Sequence, residues 1–149
     1  MLGQIVDGEM ELSDYGRMTT ETWLWLADHH PFVSHDAWVV MPNHIHGIIM
    51  IEPDTPSVGA VREPPLLPQS PAYPGKRKPL GRLVGAFKTV STKRINQVRG
   101  TPGHQFWQRN YYEHIIRGEA DLAHIREYIV SNPQKWELDQ LHPDNPSKW

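Results

Sequence analysis

The fold is decided by residues 37–51, AWVVMPNHIHGIIMI, in which two apolar runs rich in β-branched residues are separated only by Pro42-Asn43. Such runs favour β-strands, and a separation of two residues is typical of a hairpin. We therefore predict an antiparallel pair of strands over residues 37–41 and 44–51. His44 and His46 lie two residues apart on the second strand, so their side chains project from the same face of the sheet.

Elements before this hairpin are predicted from turn and capping residues. Residues 4–12 contain Asp7-Gly8, a dipeptide that accepts the positive φ angles of a type I′ turn, and this predicts a short hairpin. A helix is expected to begin at Thr19 or Thr20, whose hydroxyls can cap it, and to end near His30.

Elements after the hairpin follow from hydrophobic spacing. Apolar residues three and four apart predict an amphipathic helix over residues 81–99. Aromatic and β-branched residues predict a strand over 106–116, and a last helix is expected over 119–132, ended by Pro133. This order predicts an α+β fold with a largely antiparallel sheet.

The segment from residue 53 to residue 79 differs in composition from the rest. It holds eight of the fourteen prolines, so we interpret it as an exposed loop within a single domain that spans residues 1–149.

Composition narrows the class of protein. A chain of 149 residues indicates one domain with a core of its own. The absence of cysteine excludes disulfides and thiolate metal sites. There is no apolar run of 18 residues and no signal-peptide pattern, so we expect a soluble cytoplasmic protein with no membrane partner.

The net charge of −2 is unevenly distributed. Residues 1–56 carry −8, residues 57–117 carry +9, and residues 118–149 carry −3. A basic middle of this size indicates a polyanionic partner. The alternative is that basic and acidic faces of the folded chain pair with each other.

The histidine pair is a candidate metal site. Two imidazoles on one face of a strand can share a divalent cation, and without cysteine an oxygen donor is the natural third ligand. His44 and His46 can equally be ordinary half-buried polar residues.

The last predicted helix carries a second candidate pair. Tyr128 and Asn132 are four residues apart and therefore lie on one face of the helix. A tyrosine hydroxyl is a weak nucleophile that a nearby metal ion can make effective against a phosphodiester. Alternatively, Tyr128 is a packing residue and Asn132 a polar residue ahead of Pro133.

Four motifs together resemble a known family. They are MPNHIH at 41–46, GAFK at 85–88, FWQRNYYEHIIR at 106–117 and YIVSNP at 128–133. In this order they are similar to the REP-associated tyrosine transposases, which belong to the HUH (His-hydrophobic-His) single-strand DNA transposases. The resemblance runs from about residue 3 to residue 136.

This resemblance implies a ferredoxin-like antiparallel sheet with helices packed on it, and an enzyme that nicks and rejoins single-stranded DNA at hairpin repeats. By similarity, His44, His46 and Asn132 would bind Mg²⁺ or Mn²⁺. Tyr128 would attack the phosphate and form a 5′-phosphotyrosine.

The resemblance also guides the choice of DNA contacts. Basic residues between 76 and 99 are the candidates for contacts with the DNA backbone: Lys76, Arg77, Lys78, Arg82, Lys88, Lys93, Arg94 and Arg99. The alternative is that some of them only solvate an exposed helix face.

One departure from the family pattern leaves other functions open. Family members begin with a further strand before the stretch that residues 3–15 resemble, and we expect that strand to be missing here. Two alternatives to a transposase follow: a relative that binds hairpin DNA with little or no cleavage, and a hydrolase that uses water instead of tyrosine. Whether the protein is a monomer or a homodimer is left open.

Overall fold

The computed structural model describes residues 1–52 and 79–145. Its elements are β1 (Gly3–Val6), β2 (Glu9–Leu12), α1 (Asp14–His29), β3 (Val33–Val40), β4 (Ile45–Ile51), α2 (Pro79–Arg99), α3 (Glu119–Ser131) and a C-terminal 3₁₀ helix (Pro133–Leu138). The predicted α+β class with antiparallel pairing is confirmed, although the strands form two separate two-stranded sheets. The predicted proline-rich loop lies outside the described residues, except that Pro79 begins α2.

The N-terminal hairpin forms as the Asp7-Gly8 dipeptide predicts. Val6 pairs with Glu9, and the two turn residues have φ angles of 52° and 76°. The hairpin is tied to the rest of the fold through buried Leu2, whose backbone N–H donates to the carbonyl of Pro42 at 2.7 Å.

The central hairpin consists of β3 and β4, paired antiparallel as predicted, but β3 begins at Val33, four residues earlier than expected. His35 pairs with Ile49 and Trp38 pairs with Gly47. Two residues of β3 therefore lie opposite one residue of β4, which is a β-bulge.

The helices differ from prediction mainly at their first residues. α1 begins at Asp14 because the Oγ of Ser13 accepts a hydrogen bond from the backbone N–H of Gly16 at 3.2 Å and caps the helix. Sequence reasoning placed this cap at Thr19 or Thr20 instead. α2 and α3 lie within two residues of their predicted bounds.

The prediction of a strand over residues 106–116 is wrong. This segment is irregular, and its backbone is held by a side chain instead of a neighbouring strand. The Nζ of Lys88 donates to the carbonyl oxygens of Gln108, Arg109 and Asn110 at 2.6, 3.3 and 3.1 Å. These carbonyls are the groups that a sheet partner would otherwise bond.

Helices cover both faces of the central hairpin. Trp23 and Leu26 of α1 and Phe87 of α2 form the core cluster, and Ile45 and Ile49 of β4 pack against it. The alternate residues of β4 face the other way, toward α3 and the 3₁₀ helix. This alternation turns His46 away from the core and toward α3.

Among the described residues, no helix is both long enough and apolar enough to cross a membrane.

Candidate metal and tyrosine site

His44 lies in the turn before β4 and His46 lies in β4, and their imidazole rings meet edge to face. The Nε2 atoms of His44 and His46 lie 2.8 Å apart. Nδ1 of His44 lies 2.7 Å from Oδ1 of Asn43, whose Nδ2 donates to the carbonyl of Leu141 at 2.7 Å. Because the Asn43 amide nitrogen is used by Leu141, its oxygen faces His44, and Nδ1 of His44 must carry the proton. The lone pair on Nε2 of His44 therefore points toward His46.

A carboxylate completes the cluster. Oδ2 of Asp139 lies 3.7 Å from Nε2 of His44 and 4.0 Å from Nε2 of His46. The Asp139 side chain is only 6% exposed. Its Oδ1 accepts from the backbone N–H of Leu141 at 2.7 Å, while its Oδ2 is buried and has no hydrogen-bond partner among the described residues. An unpartnered buried carboxylate oxygen beside two imidazole nitrogens is the arrangement expected of an ion-binding site.

Burial keeps both imidazoles neutral. It lowers the pKa of His44 to about 4, an effect to which His46 adds and which Asp139 opposes. Burial likewise lowers the pKa of His46 below its ordinary 6.5. Neutral imidazole is the form that ligates a metal ion, so the pair is ready to bind one at neutral pH.

Tyr128 lies beside the histidine pair. Its ring centroid is 5.4 Å from that of His46, with the two rings nearly perpendicular. Tyr128 is 49% exposed, so it adjoins the His44–His46–Asp139 cluster without being enclosed. The structure thus brings together the tyrosine and the histidines that sequence reasoning selected separately.

Asn132 lies just after the last residue of α3, and its side chain is 4% exposed. Its Oδ1 is buried, and no residue in the described ranges 1–52 and 79–145 forms a hydrogen bond with it. That oxygen is available to ligate a metal ion, and the role of Asn132 as a metal ligand remains a prediction.

Sequence reasoning missed Asp139. This residue follows the 3₁₀ helix and has no fixed spacing to either histidine, from which it is separated by more than ninety residues of chain. The ring of Trp136 packs 6.0 Å from that of His44 and brings the end of this helix to β4. The only available signal was an acidic residue close behind the helix that carries Tyr128.

The basic residues that were predicted to contact DNA lie in several different surroundings. Lys76, Arg77 and Lys78 lie outside the described residues. Arg82 lies in the first turn of α2. Lys88 is bound to the three carbonyls described above. Arg94 donates to Glu21 of α1 at 2.6 Å, and the guanidinium of Arg99 lies 5.8 Å from the ring centroid of Phe106.

Lys93 lines a groove of about 860 Å³ between α2 and the segment 100–109. Arg109 lies on the opposite wall, and Phe106 and Trp107 contribute aromatic surface. None of the described residues that line this groove is acidic.

Two relatives were found among known proteins. The chain is 37% identical over 146 residues to an uncharacterised protein of Haemophilus influenzae, covering 97% of this chain and 78% of that protein. It is 27% identical over 150 residues to a protein of the same organism named "Putative REP-associated tyrosine transposase", covering 89% of this chain and 72% of that protein. No protein-family model and no solved structure matches the chain.

Proposed function

The chain belongs to the same family as the uncharacterised Haemophilus influenzae protein that it matches at 37% identity, and we propose that it is a metal-dependent tyrosine transposase that nicks and rejoins single-stranded DNA at hairpin repeats. The similarity to a relative that carries the name of a tyrosine transposase supports this class. The observation that supports it most is the position of the Tyr128 ring, whose centroid lies 5.4 Å from that of His46, a member of the His44–His46–Asp139 cluster.

The proposed metal ligands are His44, His46 and Asp139, with Asn132 as a further oxygen donor. The carboxylate and amide oxygens are ligands that suit both Mg²⁺ and Mn²⁺. When bound, either ion would neutralise negative charge on the phosphate oxygens of the DNA. These four protein groups would leave coordination positions open for those oxygens, because Mg²⁺ and Mn²⁺ take octahedral sites.

Tyr128 is the proposed nucleophile. Its phenol oxygen attacks the phosphorus, the bond from phosphorus to the 3′ oxygen breaks, and a 5′-phosphotyrosine forms. The phenol loses its proton and the departing 3′ oxygen gains one, so the DNA is left with a free 3′-hydroxyl. One phosphodiester replaces another, so the reverse attack by a 3′-hydroxyl needs no nucleotide cofactor.

The groove between α2 and residues 100–109 is the proposed path of the DNA backbone. Lys93 and Arg109 on its two walls supply positive charge, and aromatic side chains in the groove offer stacking surfaces for unpaired bases. Binding through this surface is expected to weaken as the salt concentration rises.

The test is formation of a covalent adduct between the protein and a labelled single-stranded hairpin oligonucleotide in the presence of Mn²⁺. The proposal expects an adduct that survives denaturing electrophoresis and disappears in Tyr128→Phe. The matched control is Tyr112→Phe, which removes the hydroxyl of a tyrosine that is 91% exposed, and this variant should form the adduct normally.

Other outcomes would overturn the proposal in distinct ways. Cleavage without an adduct indicates a hydrolase that uses water. Salt-sensitive binding that persists in His44→Ala and His46→Ala, without cleavage under any metal, indicates a DNA-binding relative.

A further inference from the structure

One ion pair joins the helix that carries Tyr128 to the central hairpin. Nε of Arg126 donates to Oδ1 of Asp36 at 2.6 Å, and Nη2 of Arg126 donates to Oδ2 at 2.6 Å. Both oxygens of the carboxylate are therefore bound by one guanidinium. This two-bond geometry is directional as well as strong, because the planar guanidinium fits the carboxylate in one relative orientation.

The carboxylate is presented by the β-bulge of β3. Asp36 and Ala37 are the two residues that lie opposite a single residue of β4. Oδ1 of Asp36 also accepts from the backbone N–H of Ala37 at 2.7 Å. A bulge changes the direction in which a side chain leaves the strand, and here it accompanies a side chain that reaches α3.

Apart from this pair, α3 is held by hydrogen bonds of Asp121 in its first turn and by the packing of one fully buried residue. Ile129 is its only buried residue. On an ideal helix, Arg126 lies about 60° to one side of Ile129 and Tyr128 about 100° to the other. A rotation of α3 about the Ile129 contact would therefore move Arg126 and Tyr128 together.

We propose that Asp36 and Arg126 form a clamp that sets the rotation of α3 and so holds the Tyr128 ring against His46. Asp36 and Arg126 are positioning residues, since neither contacts the metal cluster or the tyrosine. The clamp's importance for catalysis rests on the proposed function, whereas its effect on the position of Tyr128 does not.

An ordinary surface ion pair would not have this effect, because exposed pairs with a single contact contribute little. The Asp36–Arg126 pair differs in its two bonds, in the 16% exposure of the Asp36 side chain and in joining residues of two different elements. The pair of Arg17 with Asp14 provides the contrast, because it has one 2.9 Å contact within a single helix and both side chains are mostly exposed.

The clamp is tested first without DNA, by hydrogen exchange of the α3 amides and by the broadening of the Tyr128 ring resonances on addition of Mn²⁺. Asp36→Asn removes the charge, and Arg126→Lys keeps the charge but cannot reproduce the two-bond fork. Both are expected to increase α3 exchange and to reduce the broadening. Arg17→Lys, the control, should change neither.

The second readout is the rate of adduct formation at saturating DNA. A nucleophile displaced by about 1 Å reacts roughly 10- to 100-fold more slowly, so Asp36→Asn is expected to lose activity within this range with unchanged affinity for DNA. Unchanged exchange, broadening and adduct rate in both variants would overturn the clamp.

The two proposals fail separately. If the wild-type protein forms no adduct, the proposed function fails and the clamp is decided by the exchange of α3. If it forms the adduct and the clamp variants behave as wild type in every readout, only the clamp fails.

Discussion

Asn43 joins His44 to the C-terminal segment: its Oδ1 lies 2.7 Å from Nδ1 of His44 and its Nδ2 donates to the carbonyl of Leu141 at 2.7 Å. Leu141 also donates its backbone N–H to Oδ1 of Asp139. Through these bonds one amide side chain sets the tautomer of His44 and helps to hold the segment that carries Asp139. The residue between the turn proline and the first histidine is thus part of the site.

We expect Asn43→Ala to weaken Mn²⁺ binding by about 10- to 100-fold, the usual effect of removing a partner that orients a ligating histidine. Isothermal titration calorimetry measures the change. Asn110→Ala, at an exposed position remote in sequence from the cluster, is the matched control. Equal affinity in Asn43→Ala and wild type would remove Asn43 from this role.

Asp139→Asn should have opposite effects on metal binding and on stability. The substitution removes a metal-ligating charge, so Mn²⁺ affinity should fall at least tenfold. It also removes a buried charge whose Oδ2 has no hydrogen-bond partner, so the metal-free variant should unfold at a higher temperature than wild type. Thermal unfolding with and without Mn²⁺ separates the two effects, and a metal-free variant that is less stable would identify Asp139 as a structural residue.

Gly47→Ala should destabilise the fold by about 1–3 kcal/mol, the typical cost of a methyl group forced against a buried side chain. A Cβ at this position would lie 2.4 Å from Cζ2 of Trp23 and 3.2 Å from Cβ of Trp38. Urea unfolding gives the free energy. Gly85→Ala serves as the control: outside its own helix backbone and chain neighbours, no atom of the described residues lies within 4 Å of the added Cβ, so it should stabilise α2 by about 0.5–1 kcal/mol.

The contribution of Asp36 to stability should depend on pH in a defined window. Hydrogen bonds from Arg126 and from the backbone of Ala37 lower its pKa from 3.8 to about 2 in the folded protein. A lowered carboxyl pKa stabilises the fold fully above the unfolded value, and the effect is lost as the pH falls through the folded value. The free-energy difference between wild type and Asp36→Asn should be constant above pH 5 and should shrink between pH 4 and pH 2. A difference that does not change over this range would contradict the assignment.

Local patterns in the sequence predicted much of the fold. The Asp7-Gly8 turn, the β3–β4 hairpin and the spacing of apolar residues in α2 each depend on neighbouring residues, and the structure contains all three elements. The strand expected over residues 106–116 is absent because the conformation of this segment depends on a residue that is distant in sequence. Lys88 binds the backbone there, and no periodicity reveals such a contact.

The site was likewise predictable only where it depends on residues that are close in sequence. His44 and His46 share a face by strand periodicity, which is local. Asp139 reaches them because Trp136 packs against His44 and Asn43 bonds to Leu141, and Arg126 reaches Asp36 across 90 residues of chain. The β-bulge that presents Asp36 shifts the register within β3, a change that the alternation of residues in the sequence does not reveal.

Attack by Tyr128 on DNA beside the His44–His46–Asp139 cluster is tested most sharply by mapping the tyrosine that becomes linked to DNA. The wild-type protein is incubated with a hairpin oligonucleotide and Mn²⁺, the adduct is digested with trypsin and nuclease, and the modified peptide is sequenced by mass spectrometry. We expect a nucleotide phosphate on Tyr128, in the peptide that follows Arg126. Modification of Tyr111, Tyr112 or any other tyrosine, or cleaved DNA with no modified peptide, would contradict it.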